Sequence, residues 1–292
     1  MIVTKYKPIR YNDEMEKFLL TKNQKILLMP LGDIHEGSDG WPREKFLTQL
    51  RWGIDRGATF LGMGEAFDFA STSQRALMDP LRESTKKQLD SFMMRRVNDF
   101  VDMISFTKGR WMGMLEGDHY WQFQNGYTSD QVLCQRLKCP YLGTSAIIRI
   151  CFGVPHHPEA DCTVYAHHGV GGGRTVGGHL TRLEDLLKWI EADIYLMGHV
   201  HTKVSDPIDR QYIGIDGTPY HRTKLIARTG GWLRGYVCSP PKDVFKQAVE
   251  SRGSYVERKA MMPTSLGGLA IGVGYDRIEH SKYYRPTIHY SV

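Results

Sequence analysis

Short apolar runs that end at glycine restrict the fold of this chain more than any other feature. Seven of them have the length and composition of strands: KILLMPLG, ATFLGMG, GRWMGMLEG, AIIRICFG, CTVYAHHG, DIYLMGHV and KLIARTGG. Helix-like segments lie between the early runs, at residues 42–56, 83–106 and 180–192, where apolar residues recur three or four positions apart. This alternation predicts an α/β fold with a sheet covered on both faces. The later runs follow one another closely, which predicts hairpins.

Most of these strand ends carry side chains that can bind a metal ion. The pairs are Asp33 with His35, Glu65 with Asp68, Asp118 with His119, His167 with His168, and His199 with His201. In layered α/β proteins, ligand sites gather beyond the carboxyl ends of the strands. A single D-x-H sequence is equally an ordinary turn. Five such endings in succession predict one shared metal centre.

Length and composition indicate one globular domain. The chain has 292 residues, of which 41% are hydrophobic and 24% are charged, and it has no repeat or linker-like stretch. We therefore expect a single domain over residues 1–292, with a motif-bearing core at about 26–201 and strands after about 205 that complete it. A net charge of +6 and a pI near 9.0 suit an anionic substrate but are too mild to identify nucleic acid.

The cysteines and the lack of long apolar stretches indicate the cellular compartment in which the protein is expected. Five cysteines without a C-x-x-C pair indicate reduced thiols rather than a disulfide framework. The first residues contain no apolar leader, and no stretch approaches the roughly 18 apolar residues of a membrane span. We expect a cytoplasmic protein with no membrane partner. The sequence does not indicate an oligomeric state.

The ordered motifs resemble those of the calcineurin-like metallophosphoesterase superfamily. That family has D-x-H, G-D-x-x-D, G-N-H-[DE], a histidine before glycine or proline, and G-H-x-H. The corresponding pieces here are residues 33–35, 64–68, 117–120, 168–169 and 198–201, within a span of about 26–201. A looser likeness, in the segments HHGVGGGRTVGGHLTRLEDL and GSYVERKAMMPTSLGG, is to metallophosphoesterases of phage and prophage type.

The resemblance implies a four-layer α/β/β/α sandwich with two divalent metal ions between the strand ends. Carried over by position, the first ion would be held by Asp33, His35 and His201, the second by Asp118, His168 and His199, and Glu65 would bridge them. Two ions about 3.5–4 Å apart can share a hydroxide placed in line with phosphorus. The ligands suit manganese, which is the first choice, and also iron or zinc. His119 would lie near the leaving oxygen, as a proton donor or as a stabiliser of charge.

Three residues depart from the family pattern. Glu65 replaces the usual bridging aspartate, Asp118 replaces the usual asparagine, and Tyr120 stands where an acidic residue often follows the catalytic histidine. Three carboxylates and a bridging hydroxide would balance the four positive charges of two divalent ions. A neutral centre attracts a phosphate dianion less strongly, so we expect a preference for monoanionic phosphodiesters over phosphomonoesters.

Three assignments stay open at this stage. His167 and His168 compete for one ligand position, and the H-G pattern favours His168. Asp68 is either an orienting partner of His119 or an ordinary turn residue. Arg174, in the glycine-rich segment, is either a clamp for a phosphate oxygen or a surface arginine. The glycines of that segment let the backbone pass close to the metal centre.

The sequence therefore predicts a dinuclear metal-dependent phosphoesterase. A phosphodiester in nucleic acid or a nucleotide is the expected substrate, which would make the activity that of a phosphodiesterase or nuclease. A phosphomonoesterase that acts on a phosphoprotein or a small metabolite is the alternative within the same chemistry. A binding or scaffold protein that retains the fold without catalysis is the alternative from another class.

Overall fold

The computed structural model describes residues 2–6, 17–19, 25–78, 80–152, 161–171, 173, 175–214, 216–236, 262–277 and 284–291. In chain order its elements are β1 Ile2–Tyr6, β2 Lys17–Leu19, β3 Ile26–Leu31, α1 Arg43–Asp55, β4 Thr59–Gly62, α2 Thr72–Met78, α3 Glu83–Met103, β5 Trp111–Met114, α4 Ser129–Leu137, β6 Ser145–Cys151, β7 Asp161–His167, α5 Val176–Leu186, β8 Ile194–Met197, β9 Lys203–Ile213, β10 Pro219–Thr229, β11 Ala270–Arg277 and β12 Tyr284–Ser291. A short 3₁₀ turn, Ser105–Thr107, follows α3. No helix among these residues is both long and apolar enough to cross a bilayer.

The described strands form two sheets. The larger has seven strands in the order β2-β1-β6-β7-β8-β10-β9, and the smaller has five in the order β12-β11-β3-β4-β5. Strands β3, β4 and β5 run parallel to one another, as do β7, β8 and β10. Because the carboxyl ends of parallel strands meet at one edge of a sheet, each sheet gathers several strand-end loops.

Buried apolar side chains form three layers of packing. Phe46 of α1 and Phe100 of α3 pack on one face of the five-stranded sheet, Leu28 and Ile148 lie between the two sheets, and Leu183 of α5 packs on the far face of the seven-stranded sheet. Both sheets therefore have helices on their outer faces and share an apolar core between their inner faces. The architecture is an α/β sandwich.

The predicted elements agree with the structure apart from their boundaries. Each of the seven apolar runs contains a strand, and two of the later runs pair as the antiparallel strands β6 and β7. The third predicted helix, residues 180–192, is wrong at both ends. Helix α5 begins earlier because the Thr175 side chain caps it by accepting from the Gly178 N–H at 3.2 Å, and it ends at Leu186.

Candidate metal centre

The candidate site lies where the loops after β3, β4, β5, β7 and β8 meet, so both sheets contribute to it. Backbone hydrogen bonds join these loops: Asp33 N–H donates to the Gly64 carbonyl at 3.0 Å, and Gly198 N–H donates to the His168 carbonyl at 2.7 Å. The carboxylate of Asp33 also accepts from the backbone N–H of His199 at 2.9 Å. The strand ends of the two sheets are thereby held against each other.

Four predicted ligands form what we call the inner group: Asp33, His35, Glu65 and His201. One possible ligand atom of each lies within 4.8 Å of those of the other three. Nε2 of His35 is 2.8 Å from Oε2 of Glu65 and 3.1 Å from Nε2 of His201. Asp33, His35 and Glu65 are buried. The inner group is therefore a compact cluster of carboxylate and imidazole atoms with little contact with solvent.

Four predicted ligands form the outer group: Glu65, Asp118, His168 and His199. Their possible ligand atoms also lie within 4.8 Å of one another. Oε1 of Glu65 is 3.5 Å from Nε2 of His168, and Oδ2 of Asp118 is 3.2 Å from Nδ1 of His199. The Asp118 side chain is 55% exposed. Glu65 belongs to both groups and turns one carboxylate oxygen toward each, so all seven predicted ligands are brought together.

The structure places His168, rather than His167, in this cluster. Nδ1 of His168 is 2.8 Å from the Met63 carbonyl, which orients Nε2 toward Glu65. Nδ1 of His167 instead accepts from the backbone N–H of Gly169 at 2.8 Å. A Cβ atom at Gly169, whose φ is +131°, would lie 2.6 Å from Cβ of His199. A glycine is thus required after His168 for the loops that follow β7 and β8 to lie this close together.

His119 lies at the mouth of the site. Its Nδ1 is 3.7 Å from Oε1 of Glu65 and 3.6 Å from Oδ1 of Asp68, and its side chain is 32% exposed. Oδ1 of Asp68 is closer to Nδ1 of His35, at 3.2 Å. Asp68 therefore stands between the two histidines and is within ion-pair distance of both. These contacts are consistent with an orienting role for Asp68.

The donor atoms fit bound cations better than they fit one another. Nδ1 of His199 is buried and makes no hydrogen bond with a residue that the structure describes, although Oδ2 of Asp118 lies 3.2 Å away. Nε2 of His35 and Nε2 of His201 face each other at 3.1 Å, and one of the two must carry the proton between them. Imidazole nitrogens that converge with carboxylate oxygens are the usual ligands of divalent transition metals.

The backbone is strained at the predicted ligands. Six non-glycine residues of the described chain have positive φ, and five of them are predicted ligands: Asp33 (48°), His35 (51°), Glu65 (52°), His199 (71°) and His201 (54°). Such conformations cost about 1–3 kcal/mol each and persist where the surrounding structure enforces them. Their concentration here indicates that the loops are shaped to aim these side chains at common points.

Burial and mutual charge shift the pKa values of the inner group in opposite directions. Burial, helped by the charge of Glu65, raises the pKa of Asp33 to about 8. Burial opposes the ionisation of Glu65 as well, but hydrogen bonds from His168 and His35 outweigh it and lower the pKa of Glu65. Burial also lowers the pKa of His201 to about 3, helped by the charge of His35. Without cations, these atoms depend on protons for charge balance.

Two histidines hold protons tightly for the same reason. Burial alone would lower the pKa of His35, but hydrogen bonds with Asp68 and Glu65 raise it to about 10. Burial likewise opposes the charge on His168, and a hydrogen bond with Glu65 raises its pKa to about 9. Metal ions and protons therefore compete for the same nitrogens.

Two arginines that were not predicted from the sequence donate hydrogen bonds to the backbone of the site. Arg75 of α2 donates to the carbonyl of Asp118 at 2.9 Å and to that of Tyr120 at 3.1 Å, and its guanidinium lies 3.7 Å from the centre of the Tyr120 ring. Arg228 of β10 is 1% exposed and donates to the Gly198 carbonyl at 3.0 Å. Arg174, the predicted phosphate clamp, lies outside the described residues.

The position of Arg228 in the sequence indicated a buried arginine but did not show which groups it contacts. It interrupts the apolar run KLIARTGG, and a charged residue inside such a run indicates a buried polar partner. Its partners are the carbonyls of Gly198 and His179, which lie 30 and 49 residues away. Burial lowers the pKa of this guanidinium to about 10, against the opposing charge of Asp33.

Comparisons with known proteins give little beyond this geometry. No protein-family model matches the chain, and no curated protein matches its sequence. Among solved structures, wild-type Vps29 from Entamoeba histolytica, complexed with Zn²⁺, is similar at a TM-score of 0.34 and 12% sequence identity. That match covers 91% of this chain and 99% of the other chain. A similarity of this degree does not support the assignment of the metal site.

Proposed function

We propose that this chain is a dinuclear metal-dependent phosphoesterase that hydrolyses a phosphodiester of nucleic acid or of a nucleotide. The observation that carries the proposal is the position of Glu65, whose two carboxylate oxygens face two different groups of ligands. A carboxylate shared in this way suits a pair of neighbouring cations. We also propose that residues 1–292 form one domain of the four-layer α/β/β/α metallophosphoesterase type.

The residues of the chain divide the chemistry between them. Two divalent cations, when bound, polarise a phosphoryl oxygen and activate water for attack on phosphorus. Asp33, His35 and His201 would hold one cation and Asp118, His168 and His199 the other, with Glu65 between them. His119 lies at the solvent side of this cluster, 3.7 Å from Glu65, where its imidazole can donate a proton to the leaving oxygen.

The charge of the site favours a diester over a monoester. The two groups contain three carboxylates, and the third is Asp118. Each carboxylate offsets one positive charge of the cations, so the centre attracts a phosphomonoester dianion less than a site with fewer carboxylates would. A phosphodiester carries a single negative charge and depends less on that attraction. The same argument makes Asp118 the residue to change when the substrate class is tested.

The proposal is tested by metal analysis of the purified protein together with two model substrates. We expect uptake of Mn²⁺, Fe²⁺ or Zn²⁺, and faster hydrolysis of bis(p-nitrophenyl) phosphate than of p-nitrophenyl phosphate when manganese is supplied. Faster hydrolysis of the monoester would favour a phosphomonoesterase. Metal uptake without turnover of either ester would favour a binding protein, and failure to take up any of the three metals would refute the dinuclear site.

A further inference from the structure

A cleft of about 400 Å³ is lined by residues of α5 and β10 and by the segment that follows His168. Arg182 and Asp185 of α5 and Arg228 of β10 lie in its wall, together with backbone from the segment that follows His168. Arg228 donates to the carbonyl of Gly198, the residue before His199, so the cleft and the outer group share the turn after β8. A molecule that reached the outer group could therefore extend into this cleft.

The cleft has an excess of positive charge. Neither Arg182 nor Arg228 is among the arginines that pair with a carboxylate in the described part of the chain. The one carboxylate in the wall, that of Asp185, is paired with Nζ of Lys188 at 2.7 Å, which offsets its charge. Two guanidinium groups that form no ion pair with a carboxylate of the described residues favour an anionic ligand, although Asp185 and Asp33 attract them at longer range, and their planar shape suits a phosphate.

The shape of the cleft also suits a phosphate group. A Cβ atom at Gly171 would meet no atom within 4 Å, so a ligand can approach the backbone there, whereas Gly173 and Gly178 pack against each other in the wall. Helix α5 has eleven residues and begins at this cleft, where its amino end adds partial positive charge. Arg182 is exposed, whereas Arg228 is buried and held by two carbonyls, so one arginine can adjust to a ligand while the other is fixed.

We propose that this cleft binds a second phosphate group of the substrate while the phosphate to be cleaved lies at the inner and outer groups. The inference rests on the proposed function and narrows it to substrates with two neighbouring phosphates, as in a nucleic-acid strand. It also accounts for the charge of the centre. Three carboxylates weaken the attraction of the ligand groups for anions, and Arg182 and Arg228 place positive charge beside them.

Two substrates that differ by one phosphate test the proposal directly. They are thymidine 5′-(p-nitrophenyl phosphate) and the same compound with an added 3′-phosphate. In the metal-loaded wild-type protein we expect a KM about tenfold lower for the compound with the 3′-phosphate, the effect of one charge-assisted contact. Arg182→Ala should remove most of this difference by raising the KM of the 3′-phosphorylated compound, and Arg182→Lys should restore part of it. Both variants should leave the KM of the other compound within about twofold.

Arg136→Ala is the matched control, because Arg136 is an exposed arginine on α4 in the opposite helical layer. It should leave both KM values unchanged. If both compounds are hydrolysed and the wild-type protein does not distinguish them, or if Arg182→Ala keeps the full difference, the cleft proposal is wrong and the proposed function stands.

If neither compound is hydrolysed, the proposed function fails, and calorimetric titration of the metal-loaded protein with thymidine 3′,5′-bisphosphate and thymidine 5′-monophosphate decides the cleft separately. Tighter binding of the bisphosphate that is lost in Arg182→Ala would support the cleft. Equal binding of the two nucleotides would overturn it.

Discussion

The inner and outer groups offer a cation similar atoms in different surroundings. Asp33 of the inner group is fully buried, whereas the corresponding carboxylate of the outer group, Asp118, has a side chain that is 55% exposed. Both groups share Glu65, and each adds a second carboxylate and two histidines. If the proposed function holds, the difference assigns retention of metal to one half of the site and access of substrate to the other. The inner group would then retain its ion away from water, whereas the outer group has more contact with solvent; His119 lies near Glu65, which both groups share, and near Asp68.

The largest effect is expected where the two groups overlap. Glu65→Gln removes the charge that both groups share, so we expect both ions to be lost and diester turnover to fall by about 10³-fold or more. Metal analysis and steady-state kinetics measure the two effects. Glu116→Gln is the control, because Glu116 accepts a hydrogen bond from Thr128 outside both groups and should leave metal content unchanged. If the Glu65→Gln variant retained two ions, Glu65 would not be a ligand that both groups need.

A change on the solvent side should separate chemistry from metal binding. His119→Ala removes the proposed proton donor and leaves all seven proposed ligands in place, so kcat should fall by about 10²-fold while bound metal is unchanged. Tyr120→Phe is the control, since the ring that lies against Arg75 is retained. Unaltered turnover of every substrate by His119→Ala would exclude a catalytic role for this residue.

The comparison itself is tested by the same substitution in each group. Asp33→Asn should weaken metal binding by about 100-fold or more because no solvent can replace the lost charge, whereas Asp118→Asn should weaken it by less than about tenfold. Asp118→Asn should also raise monoester turnover relative to diester turnover. Competition with a fluorescent chelator measures the affinities. Equal losses in the two variants would show that burial does not distinguish the groups.

The smallest predicted effect is a change in stability with pH. In the metal-free protein the pKa of Asp33 is raised to about 8, that of His168 to about 9 and that of His35 to about 10. Each raised pKa means that the folded state binds the proton more tightly than the unfolded state. The resulting stability is present at low pH and is lost as pH rises through these values.

The melting temperature of the metal-free protein should therefore fall by roughly 5 °C between pH 6.5 and pH 10. Thermal unfolding in the presence of a chelator measures the slope, and the same scan with saturating manganese should be flatter. His201, whose pKa is lowered to about 3, changes the stability of the folded state with pH only below pH 6.5. A melting temperature that rises with pH without metal would contradict the assignment of these protons.

The sequence predicted the residues of the site better than their surroundings. The resemblance of the motifs to the metallophosphoesterase pattern implied the seven ligands, and the structure brings those seven side chains close together. The same motifs do not distinguish a buried Asp33 from an exposed Asp118. That difference depends on how the loops from two sheets close over each other.

Other features depend on contacts that are distant in sequence. No strand was predicted for residues 203–213, because Pro207 and the charged residues around it are typical of a loop. Pairing with β10 over eleven residues makes this segment the edge strand β9. The roles of Arg75 and Arg228 were likewise missed, since the carbonyls near the site that they bind lie 30 to 49 residues away along the chain.

The contribution of both sheets to each group has a mechanical consequence. Asp33, His35, Glu65 and Asp118 follow strands of the five-stranded sheet, whereas His168, His199 and His201 follow strands of the seven-stranded sheet. A cation in either group would connect the two sheets at this edge, in addition to the apolar packing between them and the hydrogen bonds of Asp33 with His199 and of His168 with Met63. Removal of the cation by a chelator should then let the two sheets separate more often. A protease should therefore cleave the chain faster, even where the average structure is unchanged.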